Sequence, residues 1–104
     1  MKSLTLKEVM EKKLEYREYS KKVFKYKEKD KWYLSVNGEL VHPKGKDWYN
    51  VYDKEEGKVF EYKENDRWYL SVNGELVHPE GADGYRKGKV FAYKEKDKWY
   101  KFKI

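Results

Sequence analysis

The chain has no cysteine in its 104 residues. Disulfides, thiolate metal sites and cysteine nucleophiles are thereby excluded. Its seven glycines are isolated, so no glycine-rich loop can cradle a phosphate. Arginine is scarce: three of the 25 cationic residues, Arg17, Arg67 and Arg86. Bidentate recognition of phosphates and bases favours Arg, whereas Lys acts as a hydrated point charge. No apolar run approaches membrane-spanning length and no apolar signal core opens the chain. The expectation is a soluble, cytoplasmic protein with no membrane partner. Apolar residues make up only 38% against 42% charged, a balance that raises disorder as the first possibility.

The aromatics argue against disorder. Four Trp, eleven Tyr and four Phe supply nearly half of the apolar residues, and each large ring buries much area. The length suits a single domain, residues 1–104. Net charge is +6, but the signs alternate, as in Lys25-Tyr26-Lys27-Glu28-Lys29-Asp30-Lys31. Interleaving of this kind reads as a solvated face. Any attraction to nucleic acid is expected to be weak and salt-sensitive.

The chain repeats itself. Residues 22–43 read KVFKYKEKDKWYLSVNGELVHP and residues 58–79 read KVFEYKENDRWYLSVNGELVHP. They differ only at Lys25/Glu61, Lys29/Asn65 and Lys31/Arg67. A third copy, 89–100, reads KVFAYKEKDKWY, differs from the first only at Ala92, and ends in Lys101-Phe102-Lys103-Ile104. The chain therefore divides into repeat 1 (22–57), repeat 2 (58–88) and a truncated repeat 3 (89–104).

Each repeat reads as a set of hairpins. Val23 to Glu28 alternates β-formers with lysines, and Trp32, Leu34 and Val36 alternate with Tyr33 and Ser35. Lys29-Asp30 and Asn65-Asp66 turn the chain. Asn37-Gly38 and Asn73-Gly74 fit two-residue type I′ turns, because both central positions tolerate positive φ. That register sets Val36 opposite Glu39, Ser35 opposite Leu40 and Leu34 opposite Val41. Pro43, lacking a ladder donor, closes the third strand. Trp and Tyr fall on opposite faces of the same strand, so both faces must contact something.

The N-terminus reads differently. Thr5-Leu6-Lys7-Glu8 is a capping box. Leu6, Val9, Met10 and Leu14 follow helical spacing, and no Pro or Gly interrupts residues 6–20. One helix over 5–20 is predicted, laying its stripe on the sheet. The fold class is therefore mainly β with one N-terminal α-helix, an antiparallel hairpin meander. Nine or ten short strands laid flat would leave an aromatic face wet. A curled or barrel-like sheet avoids that; self-association through a sheet face is the alternative.

No cluster announces chemistry. His42 and His78 occupy equivalent positions, and a metal would need them to converge with Glu39 or Glu75. Exact repetition explains the pair without a ligand, so no metal site is assigned. Glu28, Asp30, Asp47, Asp53, Glu64, Asp66 and Asp83 lie in Lys-rich turns, where turn chemistry suffices. Ser35 and Ser71 are strand residues. No catalytic residue and no cofactor is expected. The remaining candidates are Trp32, Trp48, Trp68 and Trp99. Exposed, they would be platforms for sugars or unpaired bases; buried, they are core, which is preferred for most of them. Trp48 stands apart, in a connector where the next repeat has Gly84.

KWYLSVNGEL loosely resembles the aromatic hairpins of cell-wall- and choline-binding repeats and of MORN-type arrays, over about ten residues per copy. No residue role carries across from so generic a hairpin. The whole chain resembles a de novo designed β-rich protein: capping box, Asn-Gly hairpins, Lys/Glu at open positions, no Cys and near-verbatim repeats. A recently duplicated thermophile gene would share the Lys/Glu richness, and unequal repeat offsets argue against design. Three functions follow as expectations. The first is a non-enzymatic designed scaffold with no partner specified. The second is a natural binding module for carbohydrate or single-stranded nucleic acid using Trp/Tyr and Lys. The third is a pH- or metal-responsive protein using His42 and His78.

Overall fold

A computed structural model describes residues 1–104. The chain opens with helix α1 (Leu6–Glu11), whose capping box forms as the sequence predicts. The Thr5 hydroxyl accepts from the Glu8 N–H at 3.1 Å, and Glu8 Oε1 accepts from the Thr5 N–H at 2.9 Å. The helix is much shorter than the 5–20 expected. Lys13 adopts φ +57° and turns the chain out of the helix. Tyr16–Glu18 then becomes strand β1. A helix of this length is marginal by itself, whereas β1 gains backbone bonds along the neighbouring strand.

Eleven short strands follow α1, in three separate antiparallel sheets. The first sheet runs β1, β2 (Val23–Glu28), β3 (Lys31–Val36) and β4 (Glu39–Leu40). The second runs β5 (Trp48–Val51), β6 (Val59–Glu64), β7 (Arg67–Val72) and β8 (Glu75–Leu76). The third contains β9 (Gly84–Lys87), β10 (Phe91–Glu95) and β11 (Lys98–Phe102), with β10 in the middle. The hairpin registers fall where the alternation put them: Val36 opposite Glu39, Ser35 opposite Leu40, and Val41 N–H donating to Leu34 O. Asn37 and Gly38 take φ +53° and +78°, as a type I′ turn requires. The near-identical segments pair alike, Val23 with Val36 and Val59 with Val72.

No barrel closes. The strands β4 and β8 have only two residues each. The chain then leaves through His42-Pro43 or His78-Pro79, and the next long strand starts a new sheet. One antiparallel bridge links each sheet to the next: Trp32 with Lys46, and Trp68 with Ala82. The wet aromatic face that argued for curling is covered instead by the following sheet. Val23, Trp32 and Leu34 of the first sheet pack against Tyr49, Val51, Phe60 and Tyr62 of the second. Leu70 and Trp68 of the second pack with Tyr85, Phe91 and Phe102 of the third. The first sheet's other face, carrying Phe24 and Tyr26, is capped by Val9, Leu6 and Leu14. The result is elongated, 44 × 26 × 20 Å.

Candidate functional sites: an inter-sheet seam and an open basic face

The segment linking one sheet to the next has a fixed anatomy. Gly45 lies against β3 with φ +75°, and a Cβ there would sit 2.9 Å from the Trp32 carbonyl oxygen and 3.1 Å from the Tyr33 ring. Only glycine allows that approach. Lys46 then exchanges two backbone hydrogen bonds with Trp32, each 2.8 Å. Asp47 accepts from Lys31 Nζ at 2.9 Å and from the Asn65 N–H at 3.2 Å, which holds its carboxyl below the ordinary range. Gly81, Ala82 and Asp83 repeat the arrangement on β7. There Arg67 does more than Lys31: it donates to Asp83, to Gly81 O and to both oxygens of Glu95.

The position at which all three copies differ is buried in each sheet: Lys25, Glu61 and Ala92. Lys25 is 3% exposed. Its Nζ donates to the Tyr49 carbonyl oxygen at 2.8 Å and sits 3.5 Å from the Trp48 ring centre and 4.9 Å from that of Trp32. Burial pulls its pKa down to about 8, with the charge of Arg17 adding to the effect. Glu61 is held by Asn50 Nδ2 and the Tyr52 hydroxyl, each at 2.8 Å, and burial raises its pKa. Ala92 leaves its place almost empty.

His42 stands at the same seam. Its Nδ1 is 2.7 Å from the Tyr49 hydroxyl, and its ring meets Tyr62 edge-on at 4.6 Å. Burial, and then the Lys46 charge, lower its pKa to about 4. It lines a cleft of about 770 Å³ with Asn37, Phe60, Ser71 and Asn73. Glu56 is the one carboxylate in that lining, so no carboxylate pair stands ready for proton transfer there. His78 stacks on Tyr93 at 4.8 Å, with Nε2 3.7 Å from Glu80. The two histidines do not share partners, and no three His, Asp or Glu side chains form a group able to hold a metal ion.

The four tryptophans do not line one groove. Trp32 is 5% exposed and meets Trp48 edge-on at 4.9 Å, while Trp48 itself is 40% exposed. Trp68 is half-buried among the residues around Leu70. Trp99 is 40% exposed on the outer side of the third sheet, with the Arg86 guanidinium 4.2 Å from its ring centre. Sequence reasoning passed over the residues around it. In register, Leu34 and Leu70 correspond to Lys101, and Val36 and Val72 to Lys103. The signal was present where the third copy departs from the others after Tyr100. Comparison with protein-family models, curated proteins and solved structures gives no match. No helix is long and apolar enough to cross a membrane.

Proposed function

We propose that this chain is a non-catalytic structural scaffold, in which near-copies of one hairpin unit stack face to face between two unlike caps. One observation carries the reading: the same strand position is a fully buried leucine at 34 and 70 and an exposed lysine at 101. A stacked array needs apolar faces inside and a polar face at its end. At the other end the short helix lays Val9, Leu6 and Leu14 on Phe24 and Tyr26. On the inward side of the last sheet, Phe102 replaces the small Ser35 and Ser71 and joins the core. The capping box, Asn-Gly turns and dense Lys/Glu surface support a designed origin. A close relative encoded in a natural genome would overturn that origin and leave the scaffold intact.

A pair of opposite substitutions tests the stack. Leu34→Lys puts an unpaired ammonium against Tyr49 and Phe60, and costs roughly 3 kcal/mol or more. Lys101→Leu leaves stability within about 1 kcal/mol, because the side chain it replaces faces solvent. Urea unfolding reads both effects. A harmless Leu34→Lys, or a strongly destabilising Lys101→Leu, would contradict the arrangement.

A further inference from the structure

We infer that the open face of the third sheet is a binding surface for single-stranded nucleic acid. Strand pairing sets Arg86, Ala92 and Lys101 in one row across this face and Lys94 beside Trp99 in the next. A hollow of about 380 Å³ opens there, lined by Arg86, Lys89, Val90, Ala92 and Lys101. It exists because Ala92 occupies the position where the other sheets carry a long side chain, Lys25 or Glu61. Its lining holds three cations and no carboxylate. The fold thus segregates on one face the charge that the sequence interleaves.

These cations are also unspent. Lys22, Lys31, Lys46 and Arg67 each pair with a carboxylate, whereas Lys89, Lys94, Lys101 and Lys103 are in no salt bridge and Arg86 packs only on the Trp99 ring. The chemistry selects the occupant. The face offers hydrogen-bond donors and an indole, with no carboxylate or carboxamide to accept from sugar hydroxyls, which disfavours a neutral carbohydrate. Phosphodiester oxygens need donors alone, and Arg86 presents the planar fork that suits them. Trp99, 40% exposed, and the Arg86 guanidinium packed over its ring together form a cationic stacking platform, which requires an unpaired base. A duplex presents phosphates but hides its base faces.

The test is fluorescence anisotropy of a labelled short oligodeoxythymidine, repeated across salt concentrations. Binding is expected, with a log–log salt slope of about −2 for three phosphates on a single strand. Combining Lys101→Glu with Lys103→Glu is expected to weaken it at least about tenfold, and Trp99→Ala about fivefold or more through lost stacking. Lys7→Glu in α1 with Lys54→Glu in a turn makes the same change in net charge at remote exposed positions and serves as control. Circular dichroism checks that each variant is folded; if the double glutamate is not, Lys101→Gln replaces it. The proposal is overturned by absent binding, by equal losses in the control pair, by equal affinity for a duplex of the same length, or by equal capture of a neutral oligosaccharide. The scaffold reading survives each of those results, since it rests on packing and not on this face.

Discussion

Lys25 offers the sharpest test of the seam between the first two sheets. Its ammonium is drawn to about 8 from an ordinary 10.5. A depressed lysine opposes folding at neutral pH, because the unfolded chain solvates the charge better. A shift of this size corresponds to about 3 kcal/mol. That is an upper bound, since the Trp48 and Trp32 faces return roughly 1–2 kcal/mol of it. The sign follows from proton binding. Below pH 8 both states carry the proton and the cost is present in full. Between about pH 8 and 10.5 the unfolded state binds more protons, so stability rises with pH. From about pH 7 to about pH 9.5 the wild-type chain should gain about 1–2 kcal/mol over Lys25→Met, which is unbranched, one atom shorter and uncharged. The upper pH stays below the ordinary tyrosine value, so phenol ionisation enters little. Paired urea melts at the two pH values supply the difference. Parallel pH dependence in the two proteins would mean that Lys25 reaches water and that the caged geometry is wrong.

His42 acts in the acid range. Its folded pKa lies near 4, so its contribution is complete above about pH 6.5 and is lost as pH falls from there toward 4. The ring is only part-buried, which reduces the expected loss to about 1–2 kcal/mol. Thermal melts should show that slope in the wild type and its absence in His42→Phe; an unchanged slope would clear His42 of the effect. Glycine supplies a second contrast. Gly38→Ala meets nothing within 4 Å and costs only the left-handed backbone penalty, about 1 kcal/mol. Gly45→Ala adds a clash with the Trp32 carbonyl oxygen at 2.9 Å and is expected to cost about 2–4 kcal/mol. Equal midpoints for the two variants would show that the linking segment is not pressed against β3.

The hairpins were legible because two local signals coincide: period-two alternation and Asn-Gly at the turn fix strand, face and register together. Closure was not legible. Rings on both faces are equally consistent with a sheet that curls and with sheets that stack, and the short β4 and β8 decided for stacking. The helix was read too long because nothing between Lys12 and Ser20 breaks a helix by composition. The competing signal lay in Tyr16-Arg17-Glu18-Tyr19, which parallels Tyr49-Asn50-Val51-Tyr52 of the next lead strand. Tyr16 pairs with Tyr26 as Tyr49 pairs with Tyr62. Trp48 drew notice as a connector residue, but its partner was invisible. The ammonium beneath it comes from Lys25, on a different sheet, and no local pattern links the two.

Stacking near-identical units raises a problem of register between sheets. If every interface were the same, the second and third sheets could exchange places on the first at little cost. Lys25 opposes that exchange, because the third sheet has Gly84 where the second has Trp48. Lys25 is matched to two indole faces and an edge-strand carbonyl. A carboxylate in its place would meet the negative faces of the same rings and an oxygen unable to donate to it. Glu61 is matched to two donors from its own sheet, Asn50 and Tyr52. The equivalents of that pair in the third sheet, Arg86 and Gly88 by sequence order, stand instead around the hollow above Ala92. A buried ionic group seldom adds net stability; at Lys25 its partners come from the second sheet, which ties the first sheet to that neighbour. The column that interrupts the apolar stack thus marks the seam between the first two sheets, and in the third sheet it shrinks to alanine.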